Sequence, residues 1–431
     1  MAIALIGLLS FNAYSQDIDE LEREIIQNFS TKDPSKYAWD IHNLINQDKV
    51  ERAELYTLLA YHYHVLSSPY EFIHFLKLGY KKDKTSLLRG LELIDLRARE
   101  RLAKDLEETI EDGTSSEKPY NIYGIICFSI GNYIKAEDGL INALELEPED
   151  GYSSFLLGQI KLIRKEYISA ISYFNSAETN GFIHYDLYKF RGIAKGSIED
   201  YQGSINDYNI AIGLNDSIAE HYYLRGISKN FLNNRYSAIS DFTQAITYDA
   251  QYASAYNYRG IVYTKLEEYG NAIFDFQKAL SLEPKHPFTH NNLGLAMLRM
   301  GQGIEAEPIF TKAIEINPRH HHAYYNRAIT YFLSNDYSKA IRDLNKSLRL
   351  NYDNPNAHFL YALSLIKSNR GKRLNRMAGK ICSELEIASD MGHDKAEILL
   401  ESICIKEEDY DDEEDLEDLL IDEEEYLFED N

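Results

Sequence analysis

The sequence predicts an all-α solenoid, a linear stack of helix pairs rather than one globular core, and three observations carry that prediction. Small residues recur every 34 positions, at Gly124, Gly158, Gly192, Gly226, Gly260, Gly294, Ala328 and Ala362. A second small residue keeps step twelve places later, at Ala136, Ala170, Ser204, Ala238, Ala272, Ala306 and Ala340. A third follows seven beyond that, at Ala143, Ala177, Ala211, Ala245, Ala279, Ala313 and Ser347. Self-similarity at a fixed period of this size means repeated supersecondary units. Two antiparallel helices of about 14 residues with a short turn fill 34 positions. Small residues belong where the backbones cross, because helices pack at about 8–10 Å.

Taken in order, the chain opens with the apolar run Ala2 to Phe11, followed by Ala13 and Ser15 at the −3 and −1 places of a small-residue cleavage site before Gln16. That pattern predicts a signal peptide over residues 1–15 and an exported protein. No basic leader precedes the run, so either the start lies further upstream or the run is an apolar N-terminal tail. Residues 16–116 lose the period but keep helical patterning, as expected of degenerate N-terminal repeats that cap the stack. Within them, Ala53 to Ser67 and Tyr70 to Lys81 read as one degenerate pair, and Leu87 to Ile110 as a longer amphipathic stretch. Seven in-phase units run from 117 to 354. In the unit 253–286 the spaces around the crossing are filled by Tyr256, Tyr263, Ile273, Phe276 and Leu280. Glu283-Pro284 and Asn317-Pro318 close two units, since proline suits the end of one helix and the turn to the next. Turns within units fall at Gly131-Asn132, Asn233-Asn234 and Gly301. Residues 355–405 form a degenerate unit with a Lys/Arg-rich insertion, Ser368 to Arg376, and a C-terminal cap. The segment 406–431 has sixteen acidic residues against one lysine.

The segment Tyr256, Gly260, Tyr263, Ala272, Phe276, Ala279, Pro284 resembles the tetratricopeptide repeat family, whose pattern is aromatic–Leu–Gly–Tyr–Ala–Phe–Ala–Pro. Leu293, Gly294, Ala306, Phe310, Ala313 and Pro318 repeat the match in the next unit, with His290 in place of the usual aromatic. The resemblance covers more than half the chain. It implies a right-handed superhelix of helix pairs whose concave groove binds peptide or protein partners.

Composition narrows the function. The formal net charge of the 431 residues is −24. No basic stripe with interleaved aromatics appears, which argues against a nucleic-acid partner. The N-terminal apolar run is too short to span a bilayer, and no other segment qualifies. There is no phosphate-cradling glycine loop, Cys-x-x-Cys pair or nucleophile elbow. His320-His321-His322, with His286 and His290 one unit earlier, is the one metal-like grouping. Adjacent histidines at a helix start do not converge on an ion without a further ligand. The expectation is therefore no enzyme, no cofactor and no metal. A metal-dependent enzyme using the His320–His322 region is the rival class.

Four features point to roles for particular residues. Arginine precedes the small residue in four units (Arg191, Arg225, Arg259, Arg327), and aspartate lies sixteen places later in each (Asp207, Asp241, Asp275, Asp343). The other units have Tyr123, Leu157 and Leu293, then Gly139, Tyr173 and Ile309. Aspartate appears only with arginine, which predicts intra-repeat salt bridges. The alternative is a row of arginines for anionic ligands. Second, an apolar ladder one place beyond the small residue, Ile125, Ile193, Ile227, Ile261, Leu295 and Ile329, interrupted by Gln159, with Phe155, Lys189, Tyr223, Asn257, Asn291 and Tyr325 on the flanking places, fits a groove for an extended or helical partner segment. The same ladder would instead be packing if tight curvature buried it between neighbouring first helices. Third, Cys382 and Cys404 lie eleven residues either side of His393 and would face each other in an antiparallel pair, predicting a disulfide in an exported protein; the other reading is two small buried hydrophobes. Fourth, Leu416, Leu419, Leu420 and Tyr426-Leu427-Phe428 interrupt the acidic tail. It is either solvated and disordered or a recognition element for basic residues of the insertion or for a partner. Together these give a protein-interaction scaffold of the bacterial envelope, since the leader ending Phe-Asn-Ala-Tyr-Ser-Gln resembles those of Bacteroidetes envelope proteins. A cytoplasmic adaptor resembling co-chaperones is the alternative.

Overall fold

In the computed structural model, residues 52–65, 69–111, 119–368 and 378–405 are described, with a few isolated positions before residue 52. The expected signal peptide, most of the basic insertion and the acidic tail lie outside them. Among the described residues every regular element is helical. The chain divides into two compact units between Asp216 and Ser217, inside the run of seven repeats that the sequence reads as continuous.

The first unit begins with α1 (Glu54–Val65) and α2 (Pro69–Lys82), one packed pair. The long amphipathic stretch expected over 87–110 is two helices, α3 (Ser86–Glu92) and α4 (Leu96–Glu111). The break is local chemistry: the Asp95 carboxylate accepts from the Ala98 N–H at 3.1 Å and so starts a new helix. Three repeat pairs follow: α5 (Tyr120–Ser129) with α6 (Tyr133–Leu146), α7 (Gly151–Ile163) with α8 (Tyr167–Thr179), and α9 (Tyr185–Ser197) with α10 (Tyr201–Leu214). The second unit holds α11 (Ala219–Phe231) with α12 (Arg235–Tyr248), α13 (Ala253–Lys265) with α14 (Tyr269–Leu282), α15 (Pro287–Arg299) with α16 (Gly303–Ile316), and α17 (His321–Leu333) with α18 (Tyr337–Leu350). It closes with α19 (Pro355–Ser368), α20 (Ala378–Asp390), α21 (Asp394–Leu400) and a π-helical turn at Glu401–Ile405. Within each unit the second helix of a pair packs on the first helix of the next.

The 34-residue period now has a physical cause. The glycine of each first helix lies under the side chain sixteen residues later on the second. A Cβ on Gly158 would come within 2.5 Å of the Phe174 ring, and one on Gly260 within 2.7 Å of Phe276. Phe174, Phe242, Phe276 and Phe310 are fully buried by this contact. The turn between the paired helices is equally periodic. Gly131, Lys165, Glu199, Asn233, Glu267, Gly301 and Asn335, again 34 apart, all have positive φ, from 58 to 84°. At each of these turns the next N–H bonds back to a carbonyl five residues earlier, as from Glu166 to Lys161 at 2.9 Å. This is the Schellman closure that ends a helix. At Lys165, Glu199 and Glu267 the sequence carries no glycine or asparagine, so these turns escape a reading based on turn residues.

Candidate functional site

The four Arg–Asp pairs come together, each in two-pronged geometry. Arg191 Nη2 donates to Asp207 at 2.8 Å, Arg225 to Asp241 at 2.7 Å, Arg259 to Asp275 at 2.8 Å and Arg327 to Asp343 at 3.0 Å. The Nε of each makes the second prong at 2.7–3.1 Å. The aspartates are buried, at 1–8 % exposure. Burial works against the charge on Arg191, but hydrogen bonds to Asp207 and Glu178 outweigh it and hold the guanidinium above its ordinary value. The forks are thus engaged by carboxylates rather than open to anionic ligands. Two partners of these arginines are not evident from the covariation. Each guanidinium lies over the tyrosine three residues earlier, such as Arg225 over Tyr222 at 5.4 Å. Several also reach back to the preceding repeat: Arg259 to Thr243 at 2.9 Å and Arg327 to Thr311 at 2.9 Å. The arginine therefore ties three helices, not two.

The ladder divides into two classes. Ile193, Ile227, Ile261 and Leu295 are half-buried, as is Tyr223. Ile125, Phe155, Tyr325 and Ile329 are not groove residues in this structure, Ile125 being fully buried. Phe155 is 5 % exposed beneath Phe182, whose ring centroid is 4.7 Å away. Tyr325 and Ile329 are 1 % and 0 % exposed, in one buried cluster with Phe359, Leu360 and Leu363 of α19. The degenerate last unit supplies large apolar side chains at the same register and seals the ladder there. Asn257 and Asn291 are also nearly buried, at 9 % and 7 %. Their side-chain oxygens are taken by the next repeat: Thr289 Oγ1 donates to Asn257 at 3.0 Å, and Asn326 Nδ2 donates to Asn291 at 3.0 Å. They act first as a polar tie between first helices, and Asn257 also borders open space.

That space is a recess of about 420 Å³ between α13, the end of α14 and the start of α15. Ile261, Tyr258 and Phe288 form its apolar walls, and Asn257, Thr289 and Asn292 its polar floor. Phe288 is 53 % exposed at the rim. His286 caps α15, its Nδ1 accepting from the Thr289 N–H at 3.2 Å. Tyr258, Phe288, Thr289 and Asn292 were not among the residues singled out by the ladder, although Asn292 and Asn326 stand one period apart beside its flanking places.

One period on, His320 begins α17 and is 4 % exposed, 4.7 Å from the Phe288 ring. The rings of His321 and His322 lie 4.0 Å apart. Among the described residues no group of three or more His, Cys, Asp or Glu side chains is placed to hold a metal ion. The His320 Nε2 is buried without a hydrogen-bond partner. Burial, with the neighbouring His322 and His321, pushes the imidazole down from 6.5 to about 4. The unfolded chain therefore binds this proton between pH 6.5 and pH 4 while the folded chain does not. Stability is full above the unfolded value and falls as the pH drops through that window. At pH 4.5 the expected loss from His320 is about 2–3 kcal/mol, since each pKa unit is about 1.4 kcal/mol. Urea unfolding of the wild type and of His320→Asn at pH 7 and 4.5 checks this; equal acid losses in both would refute it.

Cys382 and Cys404 form a disulfide with a Cα–Cα distance of 5.8 Å, joining α20 to the terminal π-helical turn. Cys127 is free and buried, and burial pushes its thiol up to about 11.

Two tetratricopeptide repeat family models match the chain, one at residues 253–286 and one at 286–352. Among solved structures it is similar to a tetratricopeptide repeat protein of Parabacteroides merdae, at 19 % identity and TM-score 0.46, over 61 % of this chain and 99 % of that one. It is also similar to the C-terminal part of a repeat protein of Cytophaga hutchinsonii, at 18 % identity and TM-score 0.43, over 55 % and 95 % of the two chains. A third is YrrB, described as a repeat protein with an unusual peptide-binding site, at 21 % identity and TM-score 0.40, over 43 % and 96 %. No curated protein sequence matches the chain. The matched stretches coincide with units whose glycine, aromatic and alanine positions pack one on another as described above, and residues 253–352 of the chain are tetratricopeptide repeats.

Proposed function

We propose that the chain is a non-enzymatic scaffold that holds a peptide segment of a protein partner on the first helices of its second unit. The observation that carries this reading is the recess bordered by Ile261, Tyr258 and Phe288 over a floor of Asn257, Thr289 and Asn292. Apolar walls with a few fixed polar groups suit an aliphatic or aromatic side chain whose backbone lies along the floor. The Asn257 Nδ2 has no partner among the described residues and is a donor for such a backbone, while its oxygen is already committed to Thr289 and Asn292. The half-buried Tyr223 and Ile227 on α11 and Leu295 on α15 extend the same face on either side. No helix among the described residues is long and apolar enough to cross a membrane. An envelope location is supported by the leader-like N-terminus and by the Cys382–Cys404 disulfide, since disulfides persist in oxidising compartments.

Selection from a displayed random-peptide library, with the wild type as bait, tests the recess. Enriched peptides should bind Phe288→Ala at least tenfold more weakly, with the helix content unchanged, because Phe288 is half exposed at the rim and packs on His320 with its other side. Peptides that bind both forms equally would place recognition elsewhere.

A further inference from the structure

The second helix of each pair turns an outer face to solvent, and over much of the array that face carries few charges. Exposed positions are Ser172, Asn175 and Thr179 on α8, Thr243, Gln244 and Thr247 on α12, and Asn271, Gln277 and Ser281 on α14. Helix α18 departs from this. Its exposed positions include Lys339, Arg342, Lys346 and Arg349, spaced i, i+3, i+7 and i+10 along one side. The opposite side buries Ala340, Leu344 and Leu348. Lys339 is paired with Asp336 at 2.8 Å. Among the described residues no carboxylate stands within ion-pair distance of Arg342, Lys346 or Arg349. In a chain of net charge −24, a basic stripe with three members outside any ion pair among the described residues runs against the composition, a nearby acid being Asp336, whose charge Lys339 and Arg342 both favour.

The same unit contains the complementary charge. Segment 406–431 has sixteen acidic residues and one lysine. It leaves the described residues at the turn Glu401–Ile405, where Ile403 and Cys404 pack against the buried cluster that includes Leu344 and Leu348 of α18. The departure point is held there by the Cys382–Cys404 bridge. Twenty-six residues reach roughly 85 Å when extended, against roughly 21 Å for the length of a 14-residue helix. Reach is therefore no obstacle, and a tether of this length keeps the acid at an effective concentration in the millimolar range.

We propose that the acidic segment 406–431 folds back onto the outer face of α18 and neutralises Arg342, Lys346 and Arg349. The contact is electrostatic and exposed, so it is weak, screened by salt and open to displacement by another acidic chain. The face is thus a docking surface for acidic peptide, with the chain's own segment as its resident occupant.

Zero-length carbodiimide cross-linking of the full chain, read by peptide mapping, tests this. Lys339 and Lys346 should link to carboxylates of 407–430 in the monomer band, with a yield unchanged by tenfold dilution and reduced at least fivefold in 1 M NaCl. The exposed double variant Arg342→Gln, Arg349→Gln should keep the wild-type melting curve and lose at least half of those links. Tail links confined to other lysines, links found only between copies, or a yield unaffected by the double variant would each overturn the proposal.

Discussion

Replacing Asp241 with alanine is expected to destabilise the second unit by about 3 kcal/mol, more than replacing both Arg225 and Asp241 by the leucine and tyrosine found in the unit that begins at 151. The single change removes the acceptor of both prongs from Arg225 and of a further bond from Lys229 at 2.7 Å. Arg225 is left charged in a site where its side chain is only 17 % exposed. Breaking one partner of a buried pair costs about 3–5 kcal/mol, whereas an apolar pair of similar volume is often neutral; the partial exposure of Arg225 puts the estimate at the low end. Lys229 can turn to solvent, so it adds little. Urea denaturation of the three proteins is the check. A double variant at least as unstable as the single would show that the pair contributes net stability rather than register.

The second large effect is expected from the Cys382–Cys404 bridge. It spans 22 residues. A closed loop of that size restricts the unfolded chain by about 3 kcal/mol, and its loss removes that contribution. The bridge fastens the terminal turn against α20, where Leu385 and Ala388 are fully buried. Reduction should therefore loosen the cap before the repeats. The measurement is the rate of trypsin cleavage after Lys395 with and without reductant, beside the double variant Cys382→Ser, Cys404→Ser. Cleavage equally slow in the reduced and oxidised proteins would mean that packing alone holds the cap. The cross-links from the acidic segment to α18 should also weaken on reduction, because their departure point is then free to move.

How much of this was legible in the residues follows from what each feature depends on. The helix pairs, their phase and the Arg–Asp pairing all rest on contacts between positions at a fixed separation of sixteen, repeated with the period. A glycine beneath Phe276 and an arginine opposite Asp275 each leave the same mark in unit after unit, so the sequence by itself determined the stack. The turns were only partly visible, since Lys165, Glu199 and Glu267 adopt the left-handed conformation without the residue types that announce it. There the neighbouring packed helices impose the turn. The recess and the fate of the ladder depended instead on the next unit's side chains, which no single position reveals. Ile261 stays at an open wall because Asn292 and Thr289 follow it, whereas Ile329 is closed over in a cluster with Phe359 and Leu363. Likewise Asn257 and Asn291 are polar in sequence, yet the tertiary structure spends their oxygens on the following helix. Periodicity is a property of one repeat and is written in the chain. Exposure is a property of two neighbours packed together, and only the tertiary structure decided it.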